Sequence, residues 1–291
     1  MVAVKKGGKT ASLTEDQAAA LRTLVAAPKF ELIPLANVAE KVVELPPASL
    51  VSVTASPSHG IEATLEVCEM LVAHGHRPVP HLSAHMIFNR GHLLDVLDRC
   101  ADGGLMRTFV VGGDSKDKGE FHDGLALLRA IDEAGHPFNE IGVASYPEGH
   151  VDIPNGRLLE VLVEKQRYAS YMTTQMCFNP GVIIRWIGAM RAAGVTLPVH
   201  LGTPGVAELT KLMTISARIG IADSARYLKK NRKMVGSLLT PGKFGPDALL
   251  AGMAQAFTDP TANVEALHLF TFNQVGATVQ WQERMLAELA Q

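Results

Sequence analysis

The chain has 291 residues, with 27 Lys+Arg against 29 Asp+Glu for a formal charge of −2, and 47% apolar against 19% charged residues. That balance excludes a dedicated nucleic-acid binder, which needs clustered basic charge, and the apolar content excludes disorder over most of the chain. No apolar run approaches the ~20 residues of a membrane span, Met1–Lys6 has no signal-peptide core, and Cys68, Cys100 and Cys177 form no C-x-x-C pair, so the expectation is a globular, enzymatic, cytoplasmic chain with reduced thiols.

Residues 1–12 read as a mobile tail. Thr14-Glu15-Asp16-Gln17 has the spacing of a capping box and predicts a helix to about Ala27. From Lys29 onward, short β-rich apolar runs alternate with helical patterns. The runs are Phe30–Ile33, Leu50–Thr54, Pro78–Leu82, Met106–Val111, Ile141–Ala144, Tyr171–Gln175, Leu197–Leu201 and Ala266–Phe270. They are apolar on nearly consecutive residues, as strands covered on both faces are. Between them, Leu93, Val96, Leu97 and Cys100, and later Ile183, Trp186, Ile187 and Met190, follow the i, i+3, i+4, i+7 stripe of a helix. Gly75, Gly103-Gly104, Gly135 and Gly194 supply helix stops.

Eight strand–helix alternations in roughly 260 residues predict a (β/α)₈ TIM barrel, with residues 1–28 as tail and helix and 29–291 as the barrel. An open doubly wound sheet would want a Gly-rich turn after the first strand, and Ile33-Pro34-Leu35-Ala36 has none. Before the last strand, 222–260 reads as an insertion of paired helices, one basic (Arg226, Lys229, Lys230, Arg232, Lys233) and one around Ala248–Phe257.

Barrel chemistry sits at the C-terminal ends of the strands. Those ends present Glu31, Thr54, His81, Asp114, Tyr146, His150, Gln175, His200, Thr203, Phe270 and Asn273. Glu31 stands out: a carboxylate between Phe30 and Leu32 costs several kcal/mol unless paired, hydrated or protonated, which favours a functional acid over a structural salt bridge. The others have structural alternatives. His81 suits a satisfied core histidine, Asp114 a turn cap, Tyr146 and His150 a self-ordering loop, and Gln175 a backbone tie. No metal site is expected, since His74-x-His76 precedes a strand, His81-x-x-x-His85 begins in one, and no acidic cluster completes either pair.

Several of these runs, in this order, resemble methylenetetrahydrofolate reductases: Phe30-Glu31-Leu32-Ile33-Pro34, Val51-Ser52-Val53-Thr54, Pro80-His81-Leu82, Gly113-Asp114, Gly142-Val143-Ala144-Ser145-Tyr146-Pro147-Glu148-Gly149-His150 and Thr174-Gln175. The resemblance covers about residues 29–275, and the run at 143–150 is its most specific part. It implies a (β/α)₈ barrel that uses FAD and reduces 5,10-methylenetetrahydrofolate to 5-methyltetrahydrofolate with NADH or NADPH, in one-carbon metabolism and methionine biosynthesis. By position, Glu31 matches the general acid. Thr54, His81, Gly113, Asp114, Ala144, Tyr146 and His150 match flavin-site positions, and Asp114 and Gln175 match residues that also meet the folate. Asp114 would stabilise the developing cation.

The chain also departs from the family pattern. Gly112 replaces an Arg, Arg157 and Glu164 fall where an acidic residue and a lysine help hold the flavin (Lys165 is one position off), and Lys211 and Ile215 replace a Gln and a Phe. Phe270 and Gln274 stand for a Tyr and an Arg near the last strand, so Phe270 and Lys211 become substrate-side candidates. These changes leave two routes side by side, a bound flavin and direct hydride transfer from the nicotinamide. A pterin-binding barrel methyltransferase and a non-catalytic folate-binding protein are the alternatives. The partner expected is a small folate, with no nucleic acid, membrane or protein partner implied.

Overall fold

The computed structural model describes residues 2–6, 9–115, 118–218, 226, 229 and 243–290. Strands β1 (Val2–Lys6) and β2 (Lys9–Leu13) pair antiparallel, Val2 opposite Leu13. This corrects the expected tail. Gly7-Gly8 sits between two five-residue segments, a hairpin signal, and β1 lies against two helices near the C-terminus, α9 (Asp247–Phe257) and α10 (Val275–Leu289). An isolated two-stranded ribbon is marginal, and such packing stabilises it. The capping box is present at α1 (Glu15–Ala26): Thr14 Oγ1 accepts from Gln17 N at 3.2 Å, and Gln17 Oε1 accepts from Thr14 N at 3.1 Å.

The eight predicted strands are the eight staves of a closed parallel barrel: β3 (Lys29–Leu32), β4 (Leu50–Val53), β5 (Arg77–Ser83), β6 (Arg107–Val111), β7 (Glu140–Ser145), β8 (Tyr171–Thr174), β9 (Val199–Pro204) and β12 (Val264–Phe270). β12 closes the ring between β9 and β3. Helices α2 (Val38–Val42), α3 (Gly60–Ala73), α4 (Arg90–Asp102), α5 (Gly124–Ala134), α6 (Asn155–Lys165) and α7 (Pro180–Ala192) connect them in turn. After β9, a two-residue strand β10 (Ala207–Glu208) leads into α8 (Leu209–Arg218) and pairs with β11 (Lys243–Phe244). The expected helix around 248–257 is α9. The basic stretch 222–235 lies outside the described residues except for Arg226 and Lys229.

Strand alternation sorts the side chains between two cores. Outward-facing Leu32, Val51, Val53, Leu82, Val110, Val143, Met172, Leu201 and Leu269 are fully buried beneath the helices, each stabilising the barrel by about 1.5–3 kcal/mol. The inner faces are unusually polar for a barrel, whose interior is ordinarily filled by branched apolar side chains. Lys29 and Glu31, Ser52, His81, Tyr171 and Thr173, His200 and His268 all point in. Room for this layer comes from Gly142, where a Cβ would collide with the Tyr171 ring. Among the described residues, no helix is long and apolar enough to cross a membrane.

Candidate active site

Register builds the site. Pairing of β12 with β3 sets His268 beside Lys29 and Phe270 beside Glu31, while Ser52 is level with Glu31 on β4 and Phe109 level with His81 on β6. Two polar layers result. In the lower one, Lys29 Nζ donates to Tyr171 OH at 2.5 Å and lies 3.4 Å from His200 Nδ1, and the Tyr171 and His200 rings stack at 3.8 Å. Lys29 is 1% exposed. Burial lowers its ammonium to about 7, against the raising effect of Glu140.

The upper layer is centred on Glu31. His268 Nε2 lies 3.0 Å from Glu31 Oε2, and His81 Nε2 is 4.0 Å from the same oxygen. His81 Nε2 also bonds Ser52 Oγ at 2.6 Å, and its ring rests against Phe109 at 4.7 Å. Burial raises the Glu31 carboxyl to about 7, with His81 pulling the other way. Burial takes His81 down to about 4 and holds His268 well below its ordinary range. Within this layer, Glu31 is therefore the group that exchanges a proton near neutrality.

Above it opens a cavity of about 210 Å³, floored by Glu31, His81 and His268 and walled by Phe109, Ala144, Thr173, Gln175, Met176 and Phe270, with Ile215 and Phe272 leaning over from α8 and the loop after β12. Three of these residues carry a polar atom that is buried without a partner among the described residues: Thr173 Oγ1, Gln175 Nε2 and His268 Nδ1. The arrangement suits a flat heterocycle held over one carboxylic acid.

Of the residues singled out from sequence, the structure brings together Glu31, His81, Ala144, Gln175 and Phe270 around this cavity. Thr54, Gly113, Asp114, Tyr146, His150 and Lys211 are not among its lining residues, and His200 lies in the layer below. Thr54 directly follows β4, its N–H bonded to Leu32 O. Gly113 takes a φ of +95°, and a Cβ there would strike Ser83 Oγ. Asp114 is exposed on the next position, close enough to Tyr146 to add to the effect of burial in raising its phenol. Tyr146 and His150 meet edge to face at 5.2 Å. Lys211 is exposed on α8, with Nζ 5.5 Å from the centre of the Phe272 ring. Glu164 does not turn to the mouth: it accepts from Arg129 Nη2 at 2.5 Å on the outer face of α5. Lys165 is the cation turned inward, at the start of α5, 3.4 Å from where a Gly124 Cβ would be.

Sequence reasoning missed Lys29, Ser52, Tyr171 and His268. The available signal was period two: Lys29 shares a strand face with Glu31, and His268 alternates with Leu267 and Leu269.

The family model described as methylenetetrahydrofolate reductase matches residues 14–285. The chain is similar to methylenetetrahydrofolate reductase 2 of Saccharomyces cerevisiae, at 26% identity over 66% of this chain and 34% of that protein. It is also similar to a probable methylenetetrahydrofolate reductase (NADPH) of Caenorhabditis elegans, at 23% identity over 65% of this chain and 29% of that one. The matched stretch thus spans about a third of the length of these curated relatives. Among solved structures, an uncharacterized Clostridium thermocellum protein that binds two copies of 5-methyl-5,6,7,8-tetrahydrofolic acid superposes with a TM-score of 0.63 at 11% identity, covering 93% of this chain and all of that one, which shows a shared fold. On the extent of the family match, the chain belongs to the methylenetetrahydrofolate reductase family.

Proposed function

We propose that the protein reduces 5,10-methylenetetrahydrofolate to 5-methyltetrahydrofolate with a reduced nicotinamide, Glu31 acting as general acid. The observation that carries this reading is a carboxyl raised to about 7 on the floor of a cavity lined by Thr173, Gln175, His268 and aromatic side chains. The five-membered ring of the substrate must open to an iminium before its exocyclic carbon can accept hydride. Opening needs a proton on the departing N10, and a carboxyl protonated near neutrality supplies it. Hydride from the nicotinamide then adds to the iminium carbon, giving the methyl group and the oxidised nicotinamide, and Glu31 regains its proton from solvent. Gln175 orients the pterin, Phe270 and Phe272 cover it, and Asp114 favours the developing cation from its loop.

The family's flavin fits these residues poorly. Near the ends of β6 and β7 the chain carries Asp114 and Asp152, Arg129 and Arg157 are each tied to a glutamate, and Gly112 offers no cation. Of the described cations there, Lys165 Nζ lies at the start of α5, where burial lowers its ammonium, and Lys118 is exposed on the loop after β6. Weak charge complementarity is tolerable for a nicotinamide that binds and leaves, and is costly for a resident cofactor. We therefore favour hydride transfer directly from NADH or NADPH, both substrates being bound together.

The test is oxidation of NADH or NADPH on addition of 5,10-methylenetetrahydrofolate, with methyl product measured in parallel and the visible spectrum of the purified protein recorded. Stoichiometric oxidation, intersecting double-reciprocal lines and no flavin band are expected. Folate binding without nicotinamide oxidation would leave a binding protein or a methyltransferase. A flavin band with parallel lines would return the flavin to the reaction.

A further inference from the structure

His268 makes one contact whose direction can be worked out. Its side chain is 1% exposed, its Nε2 faces Glu31 Oε2 at 3.0 Å, and its Nδ1 is buried with no partner among the described residues. Burial and the nearby Lys29 keep the imidazole neutral, so it carries a single N–H. A proton on Nδ1 would strand a buried donor, the costlier group to leave unmade, whereas a proton on Nε2 leaves only an acceptor lone pair unused. The Nε2–H therefore donates to Oε2.

The surroundings of Glu31 are one-sided. From β5, neutral His81 approaches the same Oε2 at 4.0 Å, while Ser52 on β4 holds its Nε2 at 2.6 Å. β6 contributes the Phe109 ring and the end of β12 the Phe270 ring. From the β8 side come Thr173 and Gln175, both uncharged. Lys29, on Glu31's own strand, is engaged by Tyr171 and His200 in the layer below. Among the described residues only His268 thus hydrogen-bonds the carboxyl, at Oε2, and Oε1 has no hydrogen-bond partner.

We propose that His268 is a positioning residue for the acid: by occupying Oε2 as an acceptor, it leaves Oε1 as the oxygen that carries the proton and presents it to the cavity. This rests on the reading of Glu31 as general acid. A carboxylic acid holds one proton on one of two oxygens, and delivery to N10 requires the proton on the oxygen that faces the substrate. Without the donor the proton distributes over both oxygens, and the carboxylate loses a hydrogen bond that favours its charged form.

The test is infrared titration of the Glu31 carboxylic C=O band, isolated by subtracting the Glu31→Gln spectrum, in wild type, His268→Leu and His268→Gln, with kcat and KM measured on the same proteins. Glutamine places an amide N–H the same number of bonds from the backbone as Nε2. In His268→Leu the midpoint is expected about one pH unit above wild type, and kcat about tenfold lower with the folate KM within about twofold. His268→Gln should recover most of both changes. If His268→Leu does not fold, His268→Asn, whose amide is too short to reach Glu31, replaces it with the same expected shift. An unmoved midpoint in the variant lacking the donor overturns the proposal. Full turnover in Glu31→Gln would instead overturn the acid reading, and the infrared midpoints would still judge the hydrogen bond.

Discussion

Asn273 hydrogen-bonds both backbone groups of Ile33: its Oδ1 accepts from Ile33 N at 2.9 Å, and its Nδ2 donates to Ile33 O at 2.9 Å. Thr271 Oγ1 adds a bond to Glu31 O. The loop after β12 thereby fixes the end of β3, and with it the spacing of Glu31 from His268. The loop turns through left-handed backbone at Phe272 and Asn273 (φ +49° and +59°), which asparagine tolerates better than most residues.

Asn273→Ala should therefore cost about 1–3 kcal/mol, from the Ile33 N–H left without its partner and an alanine at positive φ, while Ile33 O keeps its bond from Leu35 N at 2.8 Å. Denaturant unfolding measures this. The same variant should lower kcat, because the acid loses its fixed distance to its partner. A loss under about 0.5 kcal/mol would show that the clamp is dispensable.

Lys29 gives a pH signature. Its folded value of about 7 lies below the unfolded 10.5, so between these values the unfolded chain binds more protons and stability rises with pH. Glu31 acts oppositely below that window: its folded value of about 7 exceeds 4.5, and its contribution falls as pH rises through 7. His81, lowered to about 4 from 6.5, partly offsets Glu31 in the acid range. Lys29→Met removes the alkaline component. Its stability relative to wild type should drop by a few kcal/mol between pH 7 and about 10. Parallel stability curves for the two proteins over that range would contradict a neutral buried amine.

Gln175 lines the cavity, and its Nε2 has no hydrogen-bond partner among the described residues. Gln175→Ala should raise the folate KM or Kd about tenfold, the worth of one net hydrogen bond, with little loss of Tm. Unchanged folate affinity would assign the side chain to the wall alone.

Asp114 is exposed in its loop, so Asp114→Asn should move Tm by no more than about 2 °C while lowering folate turnover about tenfold or more. A large fall in Tm with full activity would make it a turn cap.

The barrel was legible in the sequence because parallel strands covered on both faces stay apolar along their length, and all eight such runs became staves. Glu31 was legible because a carboxylate inside Phe30–Ile33 is a physical anomaly. Lys29, Tyr171 and His268 were not, since they acquire meaning only when closure of β12 on β3 and the register of β8 bring them together. The β1–β2 ribbon escaped because its support, α9 and α10, comes from the other end of the chain. Glu164 shows the limit of position matching: neighbouring α5 offered Arg129, and that pairing turned it away from the mouth.

The most direct test is the single-turnover rate of nicotinamide oxidation by 5,10-methylenetetrahydrofolate, followed from pH 5 to 9 for wild type and Glu31→Gln. A wild-type rate that falls as pH rises through about 7, where Glu31 loses its proton, and a variant at least about 100-fold slower with no such fall, are the results expected of Glu31 as the acid. A variant within about threefold of wild type, or sharing its pH profile, would contradict that role.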